Sequence, residues 1–181
     1  DAYSTSIEPN RDRLRTILGV VDKRDPASLR VESAAGPDGS PAAAELGRGH
    51  GFKVLSVSWS VFRGVEADGL LLQPDGDPKA DVVAIPDCDW TPEQFVGLAP
   101  GVPESQRFAC RLAESGCRVL IPYLIDRSDT HSGLPGVKKI RQTQREVLWR
   151  AAYEMGRTIQ GYEVQKVLAA VDWLAANRRS S

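Results

Sequence analysis

Ala80-Asp81-Val82-Val83-Ala84-Ile85-Pro86-Asp87-Cys88-Asp89-Trp90-Thr91-Pro92-Glu93-Gln94 is the stretch whose reading decides the fold. The apolar, largely β-branched run Val82–Ile85 stops at Pro86 and turns through Asp87-Cys88-Asp89-Trp90. Thr91-Pro92-Glu93-Gln94 then reads as a helix start, with Thr as N-cap, Pro at the first helical position and Gln three residues after the cap. A continuous apolar run suits a strand buried on both faces, the habit of α/β sheets. Ligands of such sheets sit beyond the carboxyl ends of the strands, so the tip 86–90 is the first place to look for function.

Outward from this stretch the pattern stays α/β. Ser105–Ser115 carries apolar residues at Phe108, Ala109, Leu112 and Ala113, with Gly116 placed to end a helix. Cys117–Pro122 is a second apolar strand, so strand 81–85, helix 105–115 and strand 117–122 form one parallel βαβ unit. Upstream, Lys53–Val61 alternates apolar and polar residues, the mark of a half-exposed strand. With Gly64–Pro74 it predicts an antiparallel hairpin. Downstream, a polar loop at 126–136 leads to two helices. Arg145–Gly156 places Leu148, Ala151, Ala152 and Met155 on one face. Glu163–Asn177 has a stripe of Val164, Val167, Leu168, Val171, Leu174 and Ala175 that should feed a further strand. The edge beside strand 117–122 is expected to be open, awaiting the rest of the same chain or another chain. Residues 1–50 read as an extension: a short helix with Leu14, Ile17 and Leu18 on one face, then a flexible connection over 34–49 without catalytic groups. Residues 51–181 read as the domain proper.

Composition narrows the function classes. The 181 residues carry a net charge of −1, which gives no overall basic character for nucleic acid. The run Lys138–Arg145 lacks interleaved aromatics and reads as a solvated helix start. No apolar stretch approaches the ~20 residues of a membrane span, so a soluble chain is expected. Asp1 in place of Met fits a removed signal peptide and export, or a cut boundary. Cys88, Cys110 and Cys117 form no CxxC pair and have no His beside them, so they read as free thiols and not as a zinc site. Asp87 and Asp89 are too few oxygens for calcium, and adjacent turn positions do not place two carboxyls across a glycosidic bond. Cys88 lies between two carboxylates, which oppose a thiolate, so it is not read as a nucleophile.

The order of hairpin, βαβ unit and helix pair is that of the first half of an α/β-hydrolase fold. The stretches Phe52–Val54, Trp59–Leu72, Ile85–Gln94, Leu124–Asp129 and Gly161–Trp173 resemble those of bacterial dienelactone-hydrolase-related esterases, a group near the acetyl xylan esterases. The resemblance covers roughly residues 7–177. It implies a Ser-His-Asp/Glu mechanism on small carboxylic esters, without cofactor or metal, with the serine in a G-x-S-x-G turn after the last helix. No G-x-S-x-G occurs in the sequence. Ser132-Gly133 beside His131 has no strand leading in, and His50 precedes the first strand. The resemblance therefore places nucleophile, acid and base beyond residue 181, and the chain alone is expected to be inactive.

What the resemblance leaves to this chain is one oxyanion-hole N–H from the loop after strand 81–85. Matching the strand end at Pro86 gives the Cys88 N–H first and Asp89 second. Asp87 and Trp90 on the same tip, and Asp126 and Arg127 after strand 117–122, are candidates to line a substrate cleft. Simpler readings stand beside these. Asp87 and Asp89 can make Asx turns that start the helix, Trp90 can be a packing residue, and Arg127 can pair with Asp126 or Asp129 to hold its loop. Two functions follow: part of a serine ester hydrolase, or a non-catalytic α/β module binding a small ligand or protein partner at the carboxyl edge.

Overall fold

The structure, a computed structural model, describes residues 2–35, 41–43, 45–125, 127 and 142–178. Its elements are α1 (Ala2–Leu18), β1 (Leu29–Val31), β2 (Ser33–Ala35), β3 (Pro41–Ala43), β4 (Glu45–Gly49), β5 (Phe52–Phe62), β6 (Val65–Pro74), β7 (Ala80–Val83), α2 (Pro92–Val96), α3 (Phe108–Glu114), β8 (Cys117–Pro122), α4 (Gln144–Glu154) and α5 (Ile159–Ala176). They divide between two units, residues 24–124 with 166–181 and residues 1–23 with 125–165.

The first unit is built on one sheet of order β1-β5-β6-β8-β7, with β4 also paired to β5. β5 and β6 form the expected antiparallel hairpin, with Gly64 at its turn at φ +78°. β7 and β8 are parallel, from Ala80 opposite Cys117 to Val83 opposite Leu120, and α3 connects them. This is the α/β arrangement of the first half of an α/β-hydrolase sheet. Strand alternation sorts the apolar residues onto two faces. On one face Phe52, Val54, Leu70, Leu72, Val119 and Ile121 join Phe95 of α2 and Ala109 and Ala113 of α3. On the other, Leu55, Val57, Trp59, Val61, Leu71 and Leu120 join Ala169 and Ala170 of α5. Burying a Leu or Val side chain fully is worth about 1.5–3 kcal/mol, so this double-faced sheet is where the unit's stability is concentrated.

Four expectations are corrected here. Among the described residues the edge at this end of the sheet is β7 and not the strand at 117–122, because β8 pairs antiparallel with β6 from Gly69–Pro122 to Leu72–Val119 and so lies inside the sheet. As the edge strand, β7 is only partly buried, and Ile85 beyond it is 51% exposed. Conversely β5, read as half-exposed, is covered on both faces because the sheet has helices on both sides. The stretch read as a flexible connection holds β2 paired to β3, and β4 and β1 lie upstream of the hairpin against β5. These strands have three to five residues and few apolar side chains, so period-2 patterning does not mark them. The stripe on α5 is rotated: Val164 and Val171 are exposed, while Ala169, Ala170 and Leu174 are buried. The alanine pair lets the helix approach the sheet, and the Trp59 indole N–H donates to the Lys166 carbonyl at 3.1 Å.

The second unit is helical. α1 runs over 17 residues where a short helix was expected, and it buries none of its side chains, leaving Leu14 and Ile17 exposed. α4 likewise buries only Ala152 of its predicted face. Polar ties hold these pieces. Arg157 pairs with Asp22 through two hydrogen bonds of 2.9 and 2.8 Å. The Thr158 hydroxyl donates to the Leu18 carbonyl at 2.8 Å. Gly161 lies so close to that carbonyl that a Cβ would stand 2.1 Å from its oxygen. Among the described residues, no helix is long and apolar enough to cross a membrane.

Candidate functional site

The site at the carboxyl edge of the sheet is set by the way β7 ends. Ala84, still buried, extends the ladder by donating its N–H to the Leu120 carbonyl at 2.9 Å. Pro86 then removes a donor and the chain turns. The Asp89 N–H donates to the Asp87 carboxylate at 3.0 Å, and the Trp90 N–H donates to the Asp87 carbonyl at 3.0 Å. Asp87 thus closes the turn with both side chain and backbone, the Asx geometry its residue type favours. Among the described residues the Cys88 N–H has no acceptor, unlike the N–H groups of Asp89 and Trp90 that follow it.

The predicted helix start is realised. Thr91 is extended at φ −77°, ψ 153°; its hydroxyl accepts from the Gln94 N–H at 3.3 Å, and its own N–H donates to the Gln94 side-chain oxygen at 3.0 Å. This capping box satisfies two of the orphan donors at the helix start. Phe95 is buried, edge-on to Phe108 at 4.8 Å, and Trp90 lies 6.0 Å from Phe95 with its ring packed against the same core. Trp90 is therefore a packing residue of the sheet unit. Asp87 and Asp89 are exposed, and their carboxylates and the Cys88 sulfur lie within 4.8 Å of one another. These are ligand atoms of mixed hardness on three consecutive residues, and one carboxylate already serves the turn. The cluster follows from the turn itself.

Sequence reasoning missed two residues at this edge. The Tyr123 hydroxyl, just past β8, donates to the carboxylate of Glu93 in the first turn of α2. Burial, and then the Glu93 carboxylate, push the Tyr123 phenol well above its ordinary range. A tyrosine at the end of one parallel strand and an acid in the helix after the other were the available signal, but a separation of 30 residues hides the pair from local patterning.

The remaining candidates fall elsewhere. Asp126 lies outside the described residues, as do His131, Ser132 and Gly133. Arg127 belongs to the helical unit, exposed beside a cavity of about 300 Å³ lined also by Arg145, Glu146, Trp149 and Gln160. Of the basic run, residues 138–141 lie outside the described residues. Arg145, half-buried, pairs with Glu163 at 2.6 Å and donates to the Ile125 carbonyl at 2.8 Å, fixing the chain that leaves β8. His50 is exposed in the turn before β5. The three cysteines are free and partly buried; Cys110 contacts the Val96 carbonyl at 3.6 Å, and burial raises its thiol pKa. A larger cavity, about 470 Å³, lies at the amino ends of β7 and β8. Its Arg118 is committed to Asp81 at 2.7 Å and to the Trp173 face at 5.1 Å.

No family model matches this chain, and no curated protein matches it in sequence. Among solved structures, it is similar to the crystal structure of a proposed acetyl xylan esterase from Bacteroides fragilis. The TM-score is 0.63 at 15% identity, over 92% of this chain and 42% of that one. The likeness shows an esterase-like α/β fold. This chain spans less than half the length of that protein.

Proposed function

We propose that this chain supplies the scaffold and one oxyanion donor of a serine carboxylic-ester hydrolase. The nucleophilic serine, its acid and its histidine lie outside residues 1–181. The observation that carries the reading is the Cys88 N–H, at the carboxyl edge of a parallel pair in an esterase-like sheet. Asp87 accepts from the N–H groups of Asp89 and Trp90, and the Cys88 N–H is without an acceptor among the described residues. The reaction is attack of serine on the carbonyl carbon of a small ester, with charge developing on the carbonyl oxygen. Collapse expels the alcohol, and water then hydrolyses the acyl-enzyme. A fixed backbone donor aimed at that oxygen contributes roughly 2.7–4 kcal/mol to the transition state. Its part is electrostatic, and no proton need leave the amide. The tip residue Asp87 borders the substrate in this reading. Trp90 supports the turn from the core side.

The test compares nitrophenyl acetate hydrolysis by the 181-residue chain and by the protein purified from its source. The expected result is a background rate for the former and serine-dependent turnover for the latter. Turnover that scales with the 181-residue chain contradicts the placement of the serine. Absence of turnover from both favours the non-catalytic α/β module.

A further inference from the structure

Tyr123 stands one residue beyond β8, and its N–H donates to the Asp68 carbonyl at 2.9 Å, extending the β6–β8 ladder past Pro122. Its backbone therefore continues the central β6–β8 ladder by one residue. Its hydroxyl donates to Glu93, the second residue of α2. The Glu93 carbonyl accepts from the Leu98 and Ala99 N–H groups at 2.8 and 3.2 Å, so both ends of this residue are tied. Two residues earlier the capping box begins, and before it comes the turn closed by Asp87. A run of hydrogen bonds thus joins the sheet, through one phenol and one carboxylate, to the segment bearing the Cys88 amide.

α2 needs such a support. It has five residues, whereas isolated helices shorter than about 12–15 residues are marginal in water. Phe95 and Pro92 anchor it by apolar burial, which is non-directional and leaves rotation about the helix axis weakly set. The phenol–carboxylate bond is directional and charge-assisted. We infer that Tyr123 is a positioning residue, which acts through Glu93 to fix the 86–90 turn so that the Cys88 N–H meets the developing oxyanion. This rests on the esterase reading above. The Glu93 charge also lies in the first turn of α2, where the helix dipole favours an anion. Burial and Glu93 keep the phenol protonated far above neutral pH, so the donor persists through the working range of an ester hydrolase.

The experiment pairs two measurements on Tyr123→Phe, which keeps the ring and removes the hydroxyl. In the 181-residue chain, amide exchange over residues 88–95 is expected to accelerate about tenfold, the scale of one lost hydrogen bond to a charged group, with β5 and β6 unchanged. In the longer protein, kcat for nitrophenyl acetate is expected to fall about tenfold with KM within about twofold. Glu93→Gln, whose amide oxygen still accepts from the phenol, should retain most of kcat, and Glu93→Ala should match Tyr123→Phe. Unchanged exchange at 88–95, exchange raised equally in β5 and β6, or an active enzyme indifferent to Tyr123→Phe each overturns the inference. A wild-type protein without esterase turnover overturns the reading beneath it instead, and the exchange result then decides separately whether Tyr123 holds the turn.

Discussion

The sheet unit and the helical unit solve the problem of holding together in different ways. In the sheet unit, β8 places Val119, Leu120 and Ile121 in the interior, alternately facing α3 and α5, and polar contacts are secondary. In the helical unit, α1 has no buried side chain, and the pieces meet through Arg157–Asp22, Arg145–Glu163 and the close approach at Gly161. Gln165 of that unit is fully buried, with neither side-chain atom partnered among the described residues. The lesson is about precision. Apolar burial is large and tolerant of small shifts, so it suits a scaffold. Directional polar ties are individually small, and they fix the segments that leave the strand ends.

The comparison is broken most directly at Leu120. Leu120→Ala removes a side chain with no exposed surface at the centre of the sheet, and should lower stability by about 2–5 kcal/mol in denaturant unfolding. A change below about 1 kcal/mol would mean that the scaffold does not depend on its core. Gly161→Ala comes next. Its Cβ would press on the Leu18 backbone, so a loss of about 1–3 kcal/mol is expected. Amide exchange should place that loss in residues 1–23 and 125–165 and spare β5.

The smallest effect is electrostatic. The Arg157 guanidinium hydrogen-bonds Asp22 and holds its carboxyl below the ordinary value of 3.8. The folded form therefore binds this proton more weakly than the unfolded chain does. The pair's contribution is complete above the unfolded pKa and is lost as pH falls through the folded one. Helical signals of residues 1–23 should weaken on acidification below about pH 4, and Arg157→Gln should flatten that dependence. An identical acid profile in the variant would remove the pair from the account.

The same division explains what was legible in the sequence. Thr91, Pro92 and Gln94 specify a helix start through contacts three residues apart, and the capping box appears as read. The β5–β6 hairpin and the parallel β7–β8 pair were legible from apolar runs and glycines at the turns. Strand order was not, because nothing local in Cys117–Pro122 says that β6 will take one of its edges and leave β7 outermost. The face of α5 was misread because valine outweighs alanine in any hydrophobic pattern, although Ala169 and Ala170 are what close packing on Trp59 and Leu120 requires. At the site, the Asp87 turn was legible from the end of the strand. The Tyr123–Glu93 bond was not, since a pair formed across the sheet edge leaves no periodic trace. Arg145 was hidden in a basic run for the same reason, its partner lying on another helix.

The central claim is that a serine outside this chain works with the edge that this chain provides. The most direct measurement is to treat the protein from its source with a fluorophosphonate and map the modified residue by peptide mass. The account predicts one labelled serine, in a G-x-S-x-G sequence that is not among residues 1–181. No labelled residue, or a label on Ser132 or any other residue of this chain, would contradict it.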